Sequence, residues 1–367
     1  VVELGASRIR NIVMPPQAAV FEGPGQPLGL RSFEDPCPGQ GQAVVEISCA
    51  TICGSDLHSI RGDRVVPVPT ILGHEMVGRI SSLGGELRDE AGSVLEVGDR
   101  VSWSLAASCG TCFFCREGLP QKCESLFKYG HEALDDNHPL SGGLATHCLL
   151  AKGTSIVKVP SGLPDEVASP ANCATATVAA AFRVAGPCSG QTVVIHGAGM
   201  LGLTAAAMAR FKGARHVIVS DPREDRRRQA VQFGADAVTP ADLPGLTEGR
   251  GADLVMDLSG APEAIEEALG QARIGGCVIL VGSVFPTRAL SVQADELVRR
   301  LLRIEGVHNY TPADLLAAFT FLAEAHEQFP FRPLVGASYP LTRIGNAIES
   351  ALPGEHFRVA VRPREVE

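Results

Sequence analysis

The sequence predicts an α/β protein in which a β-rich part is followed by a doubly wound parallel sheet, and two changes of texture along the chain carry that reading. From about Ala18 to Pro160, short apolar runs such as AVVEIS and VSWSL are punctuated by Gly, Pro and Asp, the pattern of strands joined by long loops. From about Ala174, strands alternate with alanine-rich helical stretches, and QTVVIHGAGMLGLTAAAMARFKGARHVIVSD reads as strand, turn, helix, strand. Buried strands expected over 253–258 and 276–282, with helices between them, extend this into a parallel sheet. After about Glu305 a helical stretch (PADLLAAFTFLAEAHEQF), a proline-bearing loop and a terminal FRVAVRP strand are expected to rejoin the first part. The expected division is 1–173, 174–305 and a returning segment 306–367.

A chain of 367 residues with 45% hydrophobic content has enough apolar material for two cores, so the fold needs no metal as its main staple. A formal charge of −9 argues against nucleic acid or an anionic membrane as partner, since both require a basic face, and the arginine run 226–228 is local. A small molecule is the expected partner. No run of about twenty apolar residues occurs, and VVELGASRIR lacks the apolar core of a signal peptide, so a cytoplasmic protein with its eleven cysteines reduced is expected. Positions 1 to 14 read as a tail with no assigned function.

Cys109, Cys112, Cys115 and Cys123 lie within fifteen positions, and their two-residue gaps bring successive thiolates onto one metal while the longer gap closes a tetrahedron. Four protein ligands leave no place for a substrate, so the lobe over 105–125 is read as a structural zinc site. Disulfides or ordinary buried thiols are the plainer alternative, and nothing in the chain looks secreted.

The turn Gly197, Ala198, Gly199, Met200, Leu201, Gly202 follows the strand TVVIH and opens a helix. Its amides and the helix N-terminus suit a pyrophosphate, and Gly199 lets the backbone come close. Nineteen residues beyond Gly202 stands Asp221, placed to accept from both adenosine ribose hydroxyls and to repel a 2′-phosphate, which favours NAD over NADP. Arg223 and Arg226 keep NADP open, although a solvated basic face also explains them.

A second metal constellation comprises Cys53 in CGSDLH, His74 with Glu75 in LGHE, and Cys173 in SPANCATATVAAAF at the expected junction. Cys, His and Cys leave one tetrahedral position for a substrate oxygen, as an open catalytic zinc site requires. A buried cysteine and a core histidine are the plainer reading of any one of these residues.

Together CGSDLH, GHE, the four-cysteine lobe and GAGMLG with Asp221 occur in the order found in zinc-dependent medium-chain alcohol dehydrogenases, and the resemblance spans about residues 18–365. It implies a GroES-like catalytic domain built from both chain ends, with a Rossmann domain between them, and two zinc ions per chain. Carried over, Cys53, His74 and Cys173 resemble the catalytic zinc ligands and Glu75 the acid that approaches the metal. Asp56 resembles the carboxylate that orients the zinc-bound histidine. Ser55 and His58 resemble the relay that moves the alcohol proton to solvent, although His58 could equally be a bystander. Arg226 resembles the basic residue on the adenosine ribose. Relatives are usually homodimers or homotetramers.

The implied reaction is hydride transfer between a small alcohol and NAD. Trp103, Ser104 and Leu105 are candidates to line the substrate pocket or to be plain core. FFCREGLPQKCESLFKYGHE and PANCATATVAAA also resemble a bacterial subgroup associated with phosphonate catabolism, which implies a phosphonate-bearing alcohol met by Lys128, His131 or a nearby arginine. The alternatives are a polyol or amino-alcohol dehydrogenase, an NADPH carbonyl reductase, and a non-catalytic zinc-stabilised nucleotide-binding protein.

Overall fold

The structure is a computed structural model and describes residues 15–364, so the tail read at 1–14 lies outside the described residues. A five-stranded sheet runs in the order His216–Ser220, Thr192–His196, Ala252–Asp257, Ala272–Leu280, Arg303–Gly306, and every pairing in it is parallel. The central strand Thr192–His196 is buried along its whole length, as an apolar run covered by helices on both faces must be. Strand order reverses between Thr192–His196 and Ala252–Asp257, and the glycine turn leaves the sheet at this point. Crevices at such reversals are where doubly wound sheets bind ligands. The helices Ala174–Ala185, Met200–Phe211 and Pro312–Ala325 pack on the sheet in the largest core, where alanines at Ala176, Ala180, Ala205 and Ala318 allow close approach.

The β-rich part is built on an eight-stranded sheet with Ala43–Ile52 and Glu75–Leu83 at its centre. The distant strand Arg358–Arg362 pairs antiparallel with Ala43–Ile52, placing Val359 opposite Ile52. Trp103 and Tyr129 are fully buried and meet edge to face at 6.5 Å in this core.

One element departs from a strands-and-loops reading of the first part. Residues Gly54–Arg61 form a helix, because the Asp56 carboxylate folds back to accept from the Cys53 N–H at 2.9 Å and Gly62 ends the helix at φ 85°. This short helix carries Ser55, Asp56 and His58.

Candidate active site

Cys53 precedes that helix, His74 and Glu75 lie at the start of the strand Glu75–Leu83, and Cys173 sits at the mouth of the helix Ala174–Ala185. One ligand atom from each of the four lies within 4.8 Å of the others. Asp56 ties the arms together: Oδ2 accepts from Cys53 N–H, Oδ1 accepts from Gly73 N–H at 3.2 Å, and Oδ1 stands 3.4 Å from His74 Nδ1. With Nδ1 turned to Asp56, Nε2 is left for the sulfur side, where Ser55 Oγ is 3.3 Å away. The hydrogen bond between the two thiols holds Cys53 well below the usual thiol range and Cys173 well above it. Two thiolates and a buried carboxylate this close together would repel one another unless a soft divalent cation sat among them, with the neutral imidazole as a further ligand, and zinc fits that donor set.

Glu75 is fully buried and forks onto Arg358, with Nε and Nη2 each donating at 2.7 Å, while Thr51 Oγ1 donates at 2.6 Å. Burial pushes its carboxyl up to about 7 against the pull of Arg358. Arg358 Nη2 also reaches Cys53 Sγ at 3.4 Å. Sequence reasoning missed Arg358, whose partner is 283 positions away. It missed Asn172 as well, whose Nδ2 donates to His74 O at 2.9 Å and Trp103 O at 2.8 Å, holding the His74 arm against the neighbouring strand. The clue to Asn172 was its place beside Cys173 in PANC.

The second thiol set is equally compact. Cys109, Cys112, Cys115 and Cys123 place their sulfurs within 4.8 Å of one another, and none is in a disulfide. Cys112 and Cys123 sulfurs are 3.9 Å apart, against the roughly 3.8 Å edge of a tetrahedron with zinc–sulfur bonds of about 2.3 Å. The N–H groups of Thr111 and Cys112 donate to Cys109 Sγ and hold that thiol down at about 5, the arrangement a thiolate ligand needs.

At the sheet's switch point the three glycines do separate work. Gly197 adopts φ +98°, and a Cβ there would meet Ser259 N at 3.1 Å. A Cβ on Gly202 would lie 1.7 Å from Gly197 O, so only glycine lets the helix seat on the turn. A Cβ on Gly199 would meet nothing within 4 Å, which leaves open the space a pyrophosphate would fill. Asp221, one position past its strand, accepts from Ala198 N–H and Arg223 N–H. Arg226 rests over the Phe357 ring at 5.4 Å and lines one hollow with Gly199, Met200 and Arg358. These groups could hold a dinucleotide.

The two constellations share a cleft of about 630 Å³, lined by Cys53, His74 and Cys173 on one wall and by Leu201 and Leu258 on the other. Residues 39–161 match the alcohol dehydrogenase GroES-like domain and 201–324 the zinc-binding dehydrogenase domain. The L-threonine 3-dehydrogenase of Pyrococcus horikoshii is 32% identical over 299 residues, covering 77% of this chain and 80% of that protein. The chain belongs to the zinc-dependent medium-chain alcohol dehydrogenases. A further L-threonine 3-dehydrogenase, from Saccharopolyspora erythraea, is 29% identical over 94% of this chain and 98% of its own length. The crystal structure of an alcohol dehydrogenase from Thermotoga maritima superposes with a TM-score of 0.90 at 30% identity, covering 95% of this chain and 99% of that one. As a member of this family the dehydrogenase is an oxidoreductase that works with zinc and a nicotinamide cofactor.

The remaining walls of the dehydrogenase cleft differ in part from expectation. Leu105 lines it, but Trp103 does not: it is sealed in the core. Ser104 turns to a separate small pocket, where its hydroxyl donates to Ala106 O at 2.6 Å. Lys128 and His131 do line the cleft. Burial, with Arg64 nearby, lowers Lys128 to about 8, and burial with His74 nearby keeps His131 neutral by holding its imidazole down at about 2. His58 stands at the rim with Nδ1 3.1 Å from Asp63 Oδ2 and its ring 4.5 Å from Phe285. No helix of the described residues is long and apolar enough to cross a membrane.

Proposed function

We propose that this dehydrogenase transfers a hydride between a small alcohol, or the corresponding carbonyl compound, and NAD. The observation that carries the reading is the convergence of Cys53, His74 and Cys173 in the same cleft as Leu201 of the glycine turn, which puts a metal site within one cavity of the cofactor site. Zinc held by Cys53, His74 and Cys173 would supply a Lewis acid that lowers the pKa of the alcohol hydroxyl, and NAD would supply the hydride acceptor.

The chain's own residues orient the reactants and move the proton. Ser55 Oγ, beside His74 Nε2, takes the proton released from the alcohol hydroxyl. His58 donates through Nδ1 to Asp63, which leaves Nε2 as an acceptor at the cleft rim, ready to pass that proton to solvent. Asp56 fixes the His74 tautomer, and Arg358 neutralises Glu75 so that a buried carboxylate is tolerated beside two thiols. Leu105, Leu201 and Leu258 give the cleft an apolar lining that would keep water from the transferred hydride.

Asp221 supports NAD as cofactor, because an acid held by backbone N–H groups just past the second strand of the unit would repel a 2′-phosphate. The sulfur ligand Cys173 supports an alcohol over a plain polyol, and Lys128 in the cleft supports one that bears a phosphonate. The four-cysteine set supports a second, structural zinc. Zinc per chain, measured alongside NAD reduction on an alcohol panel, tests the reading: two zinc ions with turnover are expected, and one zinc without turnover on any alcohol would overturn it. A homo-oligomer is also proposed, and sedimentation would show it.

A further inference from the structure

The arm that carries Cys173 is not fixed by the helix it opens. Cys173 precedes Ala174–Ala185 at φ −121° and ψ −69°, away from helical values, and no side chain among the described residues caps that helix. The direction of its sulfur depends on the peptide before it, which is held at both edges: the Cys173 N–H donates to Pro170 O at 3.2 Å, and the Asn172 carbonyl accepts from the Tyr310 hydroxyl. The same hydroxyl accepts from the Leu105 N–H at 2.9 Å, so its own proton is committed to Asn172. One buried phenol therefore joins the cleft residue Leu105 to the peptide that delivers the Cys173 sulfur. Tyr310 is itself anchored. Val307, His308 and Asn309, just after the strand Arg303–Gly306, line the cleft, and Asn309 makes a left-handed turn at φ 59°. Beyond Tyr310, Asp314 accepts from the Thr311 N–H and hydroxyl and is gripped by Arg183 of the Cys173 helix through Nε at 2.7 Å and Nη2 at 3.0 Å. Packing alone would be served by phenylalanine, as at Phe319 and Phe321 in the same core. What the tyrosine adds is its two hydrogen bonds.

We propose that Tyr310 is a positioning residue for the reaction: its hydroxyl sets the angle at which the Cys173 sulfur enters the Cys53, His74 and Cys173 set and registers that sulfur against the Leu105 wall of the cleft. The proposal rests on the dehydrogenase reading above. Without the hydroxyl, the Leu105 N–H and the Asn172 carbonyl lose a shared partner inside the core, and the Asn172–Cys173 peptide is released to turn toward another one. A sulfur displaced by about 1 Å would still bind a metal, but with a distorted tetrahedron and a misplaced alcohol oxygen.

Tyr310→Phe keeps the ring and removes the hydroxyl. Parent and variant are compared with cobalt(II) loaded at the Cys53, His74 and Cys173 set, because its visible bands report the geometry of sulfur and nitrogen ligands. Three changes are expected: a shifted cobalt spectrum, loss of that metal to a chelator roughly 10- to 100-fold faster, and kcat lowered by a similar factor with the KM for NAD little changed, the usual worth of a partner that orients a ligand. Tyr339→Phe, in the strand Val335–Pro340, should leave all three at the parent's values. A Tyr310→Phe enzyme that melts lower yet keeps the parent's spectrum, chelator half-time and kcat would overturn the proposal, since the hydroxyl would then be a staple of the core and nothing more. Should the variant fail to fold, hydrogen exchange in the parent decides: loading the metal should slow the Leu105 amide at least about tenfold more than the Val194 amide of the parallel sheet, and equal effects on both would overturn the proposal. The zinc-loaded parent is assayed in parallel for NAD reduction on the alcohol panel. Absence of turnover there removes the dehydrogenase reading, while the cobalt spectrum and chelator rate still decide whether Tyr310 places the sulfur; turnover with a spectrum indifferent to Tyr310→Phe keeps the dehydrogenase and removes Tyr310.

Discussion

Replacing Gly202 by alanine sets two physical effects of opposite sign against each other. Gly202 lies in the helix Met200–Phe211, where propensity alone makes Gly→Ala stabilising by about 0.8–1 kcal/mol. The added Cβ, however, would sit 1.7 Å from Gly197 O, half the 3.4 Å at which ordinary contact begins. Both partners are backbone, so no rotamer change relieves the clash, and the helix must move away from the turn. Overpacking of this kind costs about 1–3 kcal/mol, and with rigid partners the upper end is expected. At roughly 2–4 °C per kcal/mol, the cofactor-free melting temperature should fall by roughly 4–8 °C after the propensity gain is taken off. Because the displaced helix N-terminus is also the proposed pyrophosphate site, NAD affinity should drop by at least about tenfold. Thermal unfolding with and without NAD reads both effects. A variant that melts higher than the parent and binds NAD normally would refute the reasoning, since propensity would then have won and the close approach of Gly202 to Gly197 would be without consequence.

Cys53→Ser and His74→Ala should each abolish turnover while circular dichroism and NAD binding survive; unchanged rates in either would remove the catalytic role of the set. Cys112→Ser should lower zinc content from two ions per chain to one and lower the melting temperature, and an unchanged melting temperature and metal content would dismiss the structural lobe. Ser55→Ala should reduce kcat by about 10²–10⁴-fold, the usual worth of a positioned proton acceptor, with KM little affected. Asp221→Ser should raise kcat/KM for NADP relative to NAD by at least about tenfold by removing the carboxylate that meets the 2′-phosphate, and an unaltered ratio would leave the cofactor choice unexplained.

The parts of the site legible in the sequence are those whose chemistry is local. Four cysteines in fifteen positions and the GAGMLG turn with its downstream acid announce themselves because one loop or one βαβ unit holds every member. Cys53, His74 and Cys173 were legible only as a scattered constellation, to which the family resemblance lent the ligand roles, since three separate elements bring them together. Arg358 gave no signal at all: FRVAVRP reads as an ordinary strand, and only the antiparallel pairing with Ala43–Ile52 turns its guanidinium onto Glu75. Trp103, Ser104 and Leu105 show a different limit. The strand Arg100–Ala107 is buried on both faces, so alternation does not reveal which residue faces the cleft, and only Leu105 does. The helix Gly54–Arg61 was hidden because its mean composition is polar and its start depends on the reach of one carboxylate, Asp56, back to Cys53.

The pairing of Arg358–Arg362 with Ala43–Ile52 also sets an order of events during synthesis. A ribosome that has released residues up to 350 has already delivered Cys53, His74, Glu75 and Cys173, yet the Glu75 carboxylate still lacks the cation that makes its burial tolerable. The parallel sheet, whose strands all lie between Thr192 and Gly306, closes from nearby contacts in the meantime. The surroundings of Glu75 are therefore finished late, by a strand arriving from beyond the whole parallel sheet, so a message cut short before Arg358 keeps every strand of that sheet but leaves Glu75 without the cation that its burial requires.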